Sequence, residues 1–301
     1  CKQCAYAHWT PLSCGHRFCP TCQNHEVTQW LERQKQKLLP VEYFMVTFTL
    51  PAELRQLAGC QQKIIYSLFF ASVVSTLKDF GLNPNKLDGD IGFTAMLHTH
   101  NRKLDYHPHI HVVMPGGGIN QKRKQWKKLK GKYLFNEFAL ARVFRARFLT
   151  VLNEHNLKIP SRLPEKWVAN VQHVGKGLPA LKYLSRYLYR GVINEKNILA
   201  NKDGKITFRY INSRTKKTQY RTLNGEDFLY LILKHVLPRG FRRVRDYGFL
   251  HANAKRMLLR VQLILHINLK PINKRKRPEF ICPACQSTMI IVAIKPGSNT
   301  S

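Results

Sequence analysis

The chain has 301 residues, 44% of them hydrophobic, enough for one large domain or two ordinary ones with a real core, which excludes disorder as the default state. Fifty Lys and Arg against 17 Asp and Glu leave a formal charge of +33, an imbalance that costs solubility through self-repulsion unless a polyanion neutralises it. Nucleic acid therefore comes ahead of a basic ribosomal-type or membrane-surface role, because the charge is spread through segments patterned to fold.

Eight cysteines open and close the chain. Five fall in the first 22 residues, as Cys1-x-x-Cys4, Cys14 and Cys19-x-x-Cys22, and two more form Cys282-x-x-Cys285; Cys60 stands alone and reads as a buried residue. Thiolates two residues apart suit tetrahedral zinc, since one knuckle turn aims both sulfurs at a single ion. The spacing predicts one site from Cys1, Cys4, Cys19 and Cys22, and a second in which Cys14 and His16 join Cys282 and Cys285 and clip the C-terminus back onto the N-terminal ribbon. The stretch "CGHRFCPTC" is similar to the second half of a RING finger, but the chain as a whole does not suit a ubiquitin-ligase module. Zinc here folds an element that lacks a core of its own. No charged-then-apolar leader precedes Cys1, and the absence of an initiating Met predicts a fragment whose true start is missing.

Next comes a polar helix, "EVTQWLERQKQKLL", and then a strand over residues 42–50, where "EYFMVTFTL" alternates β-branched and aromatic residues before Pro51. Apolar residues recur at helical spacing over residues 61–80. The longest apolar stretch lies inside this helix, around Ile64 to Val74; it is too short to span a bilayer and is broken by Ser67 and Ser72, so no membrane partner is expected. Residues 91–100 and 109–116 read as two strands joined by a short polar loop, hence an antiparallel pair. In "QKRKQWKKLKGKYLF" cations interleave with Trp126, Tyr133 and Phe135. This is the composition of a solvated face, and equally of a surface that sets phosphates on cations and bases on rings, with Lys122, Arg123, Lys124, Trp126, Lys127 and Lys128 as candidate contacts. Two amphipathic helices follow, residues 136–155 and 180–193, then a hairpin over residues 205–223, a helix to His235 and the basic "PRGFRRVRDYGFL" with Arg242 and Arg243.

The pattern is α+β with an antiparallel sheet, of ferredoxin-like or split βαβ type. Its expected parts are a zinc element with a linker helix at 1–40, a core at 41–195, a basic hairpin and helix at 196–250, and a C-terminal tail carrying the last cysteine pair at 251–301. No internal repeat is present, and no Walker-type loop follows Gly116 to Gly118.

Chemistry concentrates in two places. Along a strand, His109 and His111 share one face while Ile110 turns to the other, so both imidazoles can reach one cation. The partner strand offers His98 and His100, which also share a face, whereas His107 precedes Pro108 and reads as a loop residue. Imidazole nitrogen suits manganese and zinc better than magnesium, and a catalytic ion must keep one position open for a phosphate oxygen. The second place is "LKYLSRYLYRGV", where Tyr183 and Tyr187 lie one helical turn apart with Arg186 and Arg190 each three residues further on. A tyrosine of ordinary pKa near 10 becomes a nucleophile only with help, and neighbouring arginines supply some of it.

The His-hydrophobic-His strand "HPHIHVVMPGGG" together with "YLSRYLYRGVI" resembles the HUH endonuclease superfamily, and the wider chain is similar to rolling-circle transposases of the IS91 type and their common-region relatives. The likeness covers most of the chain, with "SCGHRFCPTCQ", "LFNEFALARVFRARFL", "ITFRYINSRTKKTQ" and "HVLPRGFRRVRDYGFL" in the family's order. It implies His109 and His111 as ligands of a catalytic Mg or Mn ion, with His98 as third ligand, since the family often has Trp at the position of His100. Tyr183 and Tyr187 would be nucleophiles that cut single-stranded DNA at transposon ends and target, leaving a 5′-phosphotyrosine and a free 3′-hydroxyl. A bacterial protein working at the nucleoid is implied. Two other functions share parts of this pattern: a plasmid relaxase or replication initiator, and a non-catalytic zinc-dependent nucleic-acid-binding protein.

Overall fold

A computed structural model describes residues 1–9, 20–179, 181, 182, 185, 193–212, 215–267 and 279–294, the side chains of 20–27 and 195 apart. The chain forms two compact units, one of residues Cys1–Gly15 with Leu269–Ser301 and one of His16–Asn268. The first and last residues of the chain thus fall in one unit.

The larger unit is built on a five-stranded antiparallel sheet. Strand β1 (Glu42–Thr49), helices α2 (Arg55–Cys60) and α3 (Gln62–Leu82), hairpin strands β2 (Phe93–His100) and β3 (Tyr106–Pro115), helix α4 (Glu137–Glu154) and strand β6 (Val168–Lys176) follow in chain order. Strand β10 (Val244–Tyr247) completes the order β10-β2-β3-β1-β6. Leaving β10 and the short α2 aside, this is a βαββαβ arrangement of ferredoxin-like order, as the alternation of elements in the sequence predicts.

Side-chain alternation splits the sheet's residues between its two faces. Phe44, Val46 and Phe48 of β1, Leu97 of β2 and Ile110, Val112 and Met114 of β3 enter a core shared with α3 and α4. Phe144 anchors it, with ring centroids 5.1 Å from Phe48, 5.5 Å from Phe69 and 5.5 Å from Trp167. Asn136 caps α4, its side chain accepting from the Ala139 amide at 2.9 Å. Helix α3 is long and apolar enough to cross a membrane, but 61% of its apolar window is buried, and Phe69, Phe70 and Val73 are wholly inside. It is a core helix.

The other face carries Tyr43, Met96 and Val113, covered in part by Trp30 of α1 (Pro20–Lys35), Phe249, and Val261 of helix α6 (Lys255–Ile264). Strand β10 is tied down by Asp246, which accepts from Thr94 Oγ1 at 2.7 Å and from Gln34 Nε2 at 3.0 Å and pairs with Lys37. Two smaller sheets complete the unit: β4 (Gly117–Asn120) with β5 (Gln125–Lys128), and β7 (Ile198–Lys202), β8 (Lys205–Ile211) and β9 (Thr218–Asn224) backed by helix α5 (Gly225–Leu233).

Candidate active site and metal centres

Register brings the histidines together. On the sheet face opposite α3 and α4, His109 lies directly across from His98 of β2 and Thr49 of β1, while His111 lies across from Met96 and Thr47. The ligand atoms of His98, His109 and His111 all fall within 4.8 Å of one another. Their ring centroids are 4.6 to 5.1 Å apart and nearly perpendicular. His100 leaves this cluster because the β2–β3 register shifts between His98 and His100. Its ring turns to Tyr106 and His235, and its Nδ1 lies 3.0 Å from Thr99 Oγ1.

Two of the rings are held by partners at Nδ1. His109 Nδ1–H donates to the His107 carbonyl at 2.7 Å, which leaves the Nε2 lone pair for a cation. His111 Nδ1 is 2.9 Å from the Thr47 hydroxyl. Burial holds the imidazoles neutral: His109 is pushed down to about 3 by burial and then by His111, and His111 to about 4 by burial. His98 is also held well below the usual imidazole range by burial, with His111, His109 and the Arg243 guanidinium adding to it. Neutral, oriented and mutually close, the three nitrogens fit a divalent cation better than they fit a proton. Arg243 is fixed beside them, its Nε donating to the Leu97 carbonyl at 2.9 Å.

In the smaller unit the sulfurs of Cys1, Cys4, Cys282 and Cys285 lie within 4.8 Å of one another. Cys1 and Cys285 are 3.4 Å apart and Cys4 and Cys282 3.5 Å, close to the roughly 3.8 Å edge of a tetrahedron with zinc–sulfur distances of about 2.3 Å. The two knuckles are alike. The Ala5 amide donates to the Cys1 carbonyl at 3.0 Å and the Gln286 amide to the Cys282 carbonyl at 2.9 Å, with Ala5 at φ 58° and Gln286 at φ 60°. The Ser287 hydroxyl, then its backbone, lowers the Cys285 thiol to about 7, toward the thiolate that zinc takes. This regroups the expected ligand sets, because the partner of the Cys1–Cys4 knuckle comes from the far end of the chain and not from the next knuckle along. Cys14, His16 and Cys19 lie outside the described residues, as does the side chain of Cys22.

A family model described as "Putative transposase" matches residues 92–257, and one described as "Transposase zinc-binding domain" matches residues 1–50. The first spans both the histidine strands and the segment downstream. The chain belongs to this transposase family. Among relatives, "Putative transposase y4qJ" of Sinorhizobium fredii is 32% identical over 99% of this chain and 84% of its own length. The "Transposase for insertion sequence element IS801" of Pseudomonas savastanoi pv. phaseolicola is 25% identical over 82% of this chain and 63% of its own. The expected kinship with IS91-type transposases and a zinc-binding element is thereby shown.

The residues predicted as DNA contacts differ in where they sit. Trp126 is a correction: its ring packs 5.8 Å from Phe249, over Gly117, where an added Cβ would lie 2.3 Å from the indole. It is a packing residue and not a displayed stacking surface. Phe135 is likewise buried in the core, while Tyr133 is exposed with Lys86 4.6 Å from its ring centre. Lys127 donates to the Pro84 carbonyl at 2.6 Å, whereas Lys122, Arg123, Lys124 and Lys128 are exposed around the β4–β5 turn. Arg242 is exposed and Arg243 turns to the histidines. Tyr183, Tyr187, Arg186 and Arg190 lie outside the described residues; nearby, Leu181 is buried in the cluster around Tyr43 and Phe249. Cys60, expected to be buried, is exposed at the end of α2. Sequence reasoning missed Thr47, whose role depends on the β1–β3 register.

Proposed function

We propose that this transposase cuts and rejoins single-stranded DNA at transposon ends through a tyrosine-linked intermediate. The observation that carries the reading is the trio of His98, His109 and His111, close, mostly buried and held neutral. His98, His109 and His111 would hold a Mg or Mn ion, which would supply Lewis acidity at the scissile phosphate. The His107 carbonyl and the Thr47 hydroxyl orient His109 and His111, and Arg243 adds a fixed positive charge for the phosphate. Tyr183 or Tyr187 loses its phenolic proton, its oxygen attacks phosphorus, and the bond to the 3′ oxygen breaks. That oxygen takes up a proton, leaving a 5′-phosphotyrosine and a free 3′-hydroxyl. Attack by the 3′-hydroxyl of another strand restores the phosphodiester and frees the tyrosine, so bond number is conserved and no nucleotide fuel is needed. The second tyrosine allows a linked strand transfer.

Structural zinc belongs to the same reading, with Cys1, Cys4, Cys282 and Cys285 as one set. By spacing alone, Cys14, His16, Cys19 and Cys22 make up a second set. A relaxase would use the same histidine chemistry, but both named relatives are transposases. The working site of the protein is then the bacterial nucleoid. Incubating the purified chain with single-stranded transposon ends and manganese should produce a covalent adduct on a denaturing gel. An undiminished adduct in the Tyr183→Phe, Tyr187→Phe double variant would rule out these nucleophiles.

A further inference from the structure

The three-stranded sheet β7-β8-β9 has one face covered and one bare. Phe208, with Ile206, Tyr210 and Leu223, packs against Phe228 and Leu231 of α5. Alternation then turns Lys205, Thr207 and Arg209 of β8 outward, and pairing sets them beside Lys202 of β7 and Thr222 and Tyr220 of β9. Tyr220 is 66% exposed, so its ring is open to a ligand. It lies directly across from Arg209, whose guanidinium is steadied by Asn197 Oδ1 at 3.3 Å and the Lys196 carbonyl at 3.4 Å. None of the three strands contains an Asp or Glu, and the adjoining carboxylate Asp203 lies in the turn between Lys202 and Lys205, so three cations and an exposed aromatic share this face.

The sheet is also fixed to the candidate active site. Leu104, at the tip of the β2–β3 hairpin and 1% exposed, is plugged into the core behind Phe208, at φ 71°. Arg221 of β9 pairs with Asp105 at 2.7 Å in that same hairpin tip. The hairpin that carries His98, His109 and His111 therefore ends in the sheet's own core, so a strand leaving the histidines has a rigid surface to follow.

From this geometry we infer that the bare face of β7-β8-β9 is a second binding site for single-stranded DNA, with a base stacked on Tyr220 beside Arg209 and phosphates on Lys202 and Lys205. The occupant is a single strand because an exposed ring with flanking cations binds the flat face of an unpaired base, which a duplex hides. The inference rests on the proposed single-stranded substrate and adds to it a site away from the reacting phosphate.

Fluorescence anisotropy of the full chain with labelled oligodeoxythymidylate, and with a duplex as control, tests it. Tyr220→Ala should weaken single-strand binding by about fivefold to a hundredfold, the span of one lost base stack, and leave duplex binding unchanged. Tyr220→Phe should stay within about twofold of wild type, and Lys205→Gln should reduce the salt slope by about 0.7, the counterion share of one phosphate. Single-strand binding by Tyr220→Ala within about twofold of wild type, or an equal loss in Tyr220→Phe, overturns the inference. Adduct formation on an oligonucleotide too short to reach the sheet separates the two readings: Tyr220→Ala retains it if only the stacking site is lost, whereas its absence from wild type strikes the nuclease reading.

Discussion

Replacing Cys282 and Cys285 by serine should remove one zinc ion per chain and unfold the unit formed by the two ends. The magnitude follows from how little else holds that unit. Among described residues 279–294, Cys282 is the single buried apolar side chain, while Phe280, Ile290, Ile291, Val292 and Ile294 are exposed. Burying one such side chain stabilises by about 1.5–3 kcal/mol, against about 10–16 kcal/mol for a structural zinc ion at neutral pH. The metal outweighs the packing several-fold. Native mass spectrometry should therefore count two zinc ions in wild type and one in the Cys282→Ser, Cys285→Ser variant, with the C-terminal segment newly open to protease. An unchanged zinc count would refute the participation of Cys282 and Cys285 in a zinc site.

Metal-free protein should lose stability on acidification through the histidine trio. The folded-state values of His109 and His111, about 3 and about 4, lie below the ordinary 6.5, so the folded state binds fewer protons and stability falls as pH drops through 6.5 toward 4. At pH 5 the two together cost roughly 4 kcal/mol, measured as the difference in denaturant midpoints between wild type and His109→Gln, His111→Gln across pH 7.5 to 5; identical pH profiles would count against burial of neutral rings. Arg243→Gln should slow adduct formation about a hundredfold while leaving manganese binding intact, and an unaltered rate would remove Arg243 from the phosphate site. Gly248→Ala should destabilise by more than about 2 kcal/mol in urea unfolding, because the residue sits at φ 58° and a Cβ would lie 1.7 Å from the Ile91 carbonyl oxygen.

The histidine site could be read from sequence because a strand repeats every two residues, so His109 and His111 had to share a face, and because the hairpin they belong to is short. Which of His98 and His100 joins them turned on a single register shift, which no local pattern encodes. Strand β10 was hidden in a basic stretch, since its pairing with β2 is secured by Asp246 reaching Thr94, Gln34 and Lys37 from distant segments. Strand β6 escaped notice because, paired on one side only, it has little apolar alternation to show. The packing of Trp126 was hidden for a related reason. Its charged neighbours advertised a nucleic-acid surface, but the glycine across the ladder, visible only once strands β4 and β5 are paired, opens a slot that the indole fills. The grouping of the cysteines was less legible because knuckles adjacent in sequence invite pairing, whereas the sulfurs of Cys1, Cys4, Cys282 and Cys285 come together from the first and last of them.

The account depends most on whether His98, His109 and His111 together hold a divalent ion. Pulsed electron paramagnetic resonance of the full chain loaded with manganese reads that directly, through coupling of the electron spin to ligand nitrogen. The expected spectrum shows imidazole nitrogen coupling that disappears in His109→Ala, His111→Ala while the zinc complement stays whole. Bound manganese with no nitrogen coupling, or coupling that survives those substitutions, would contradict it.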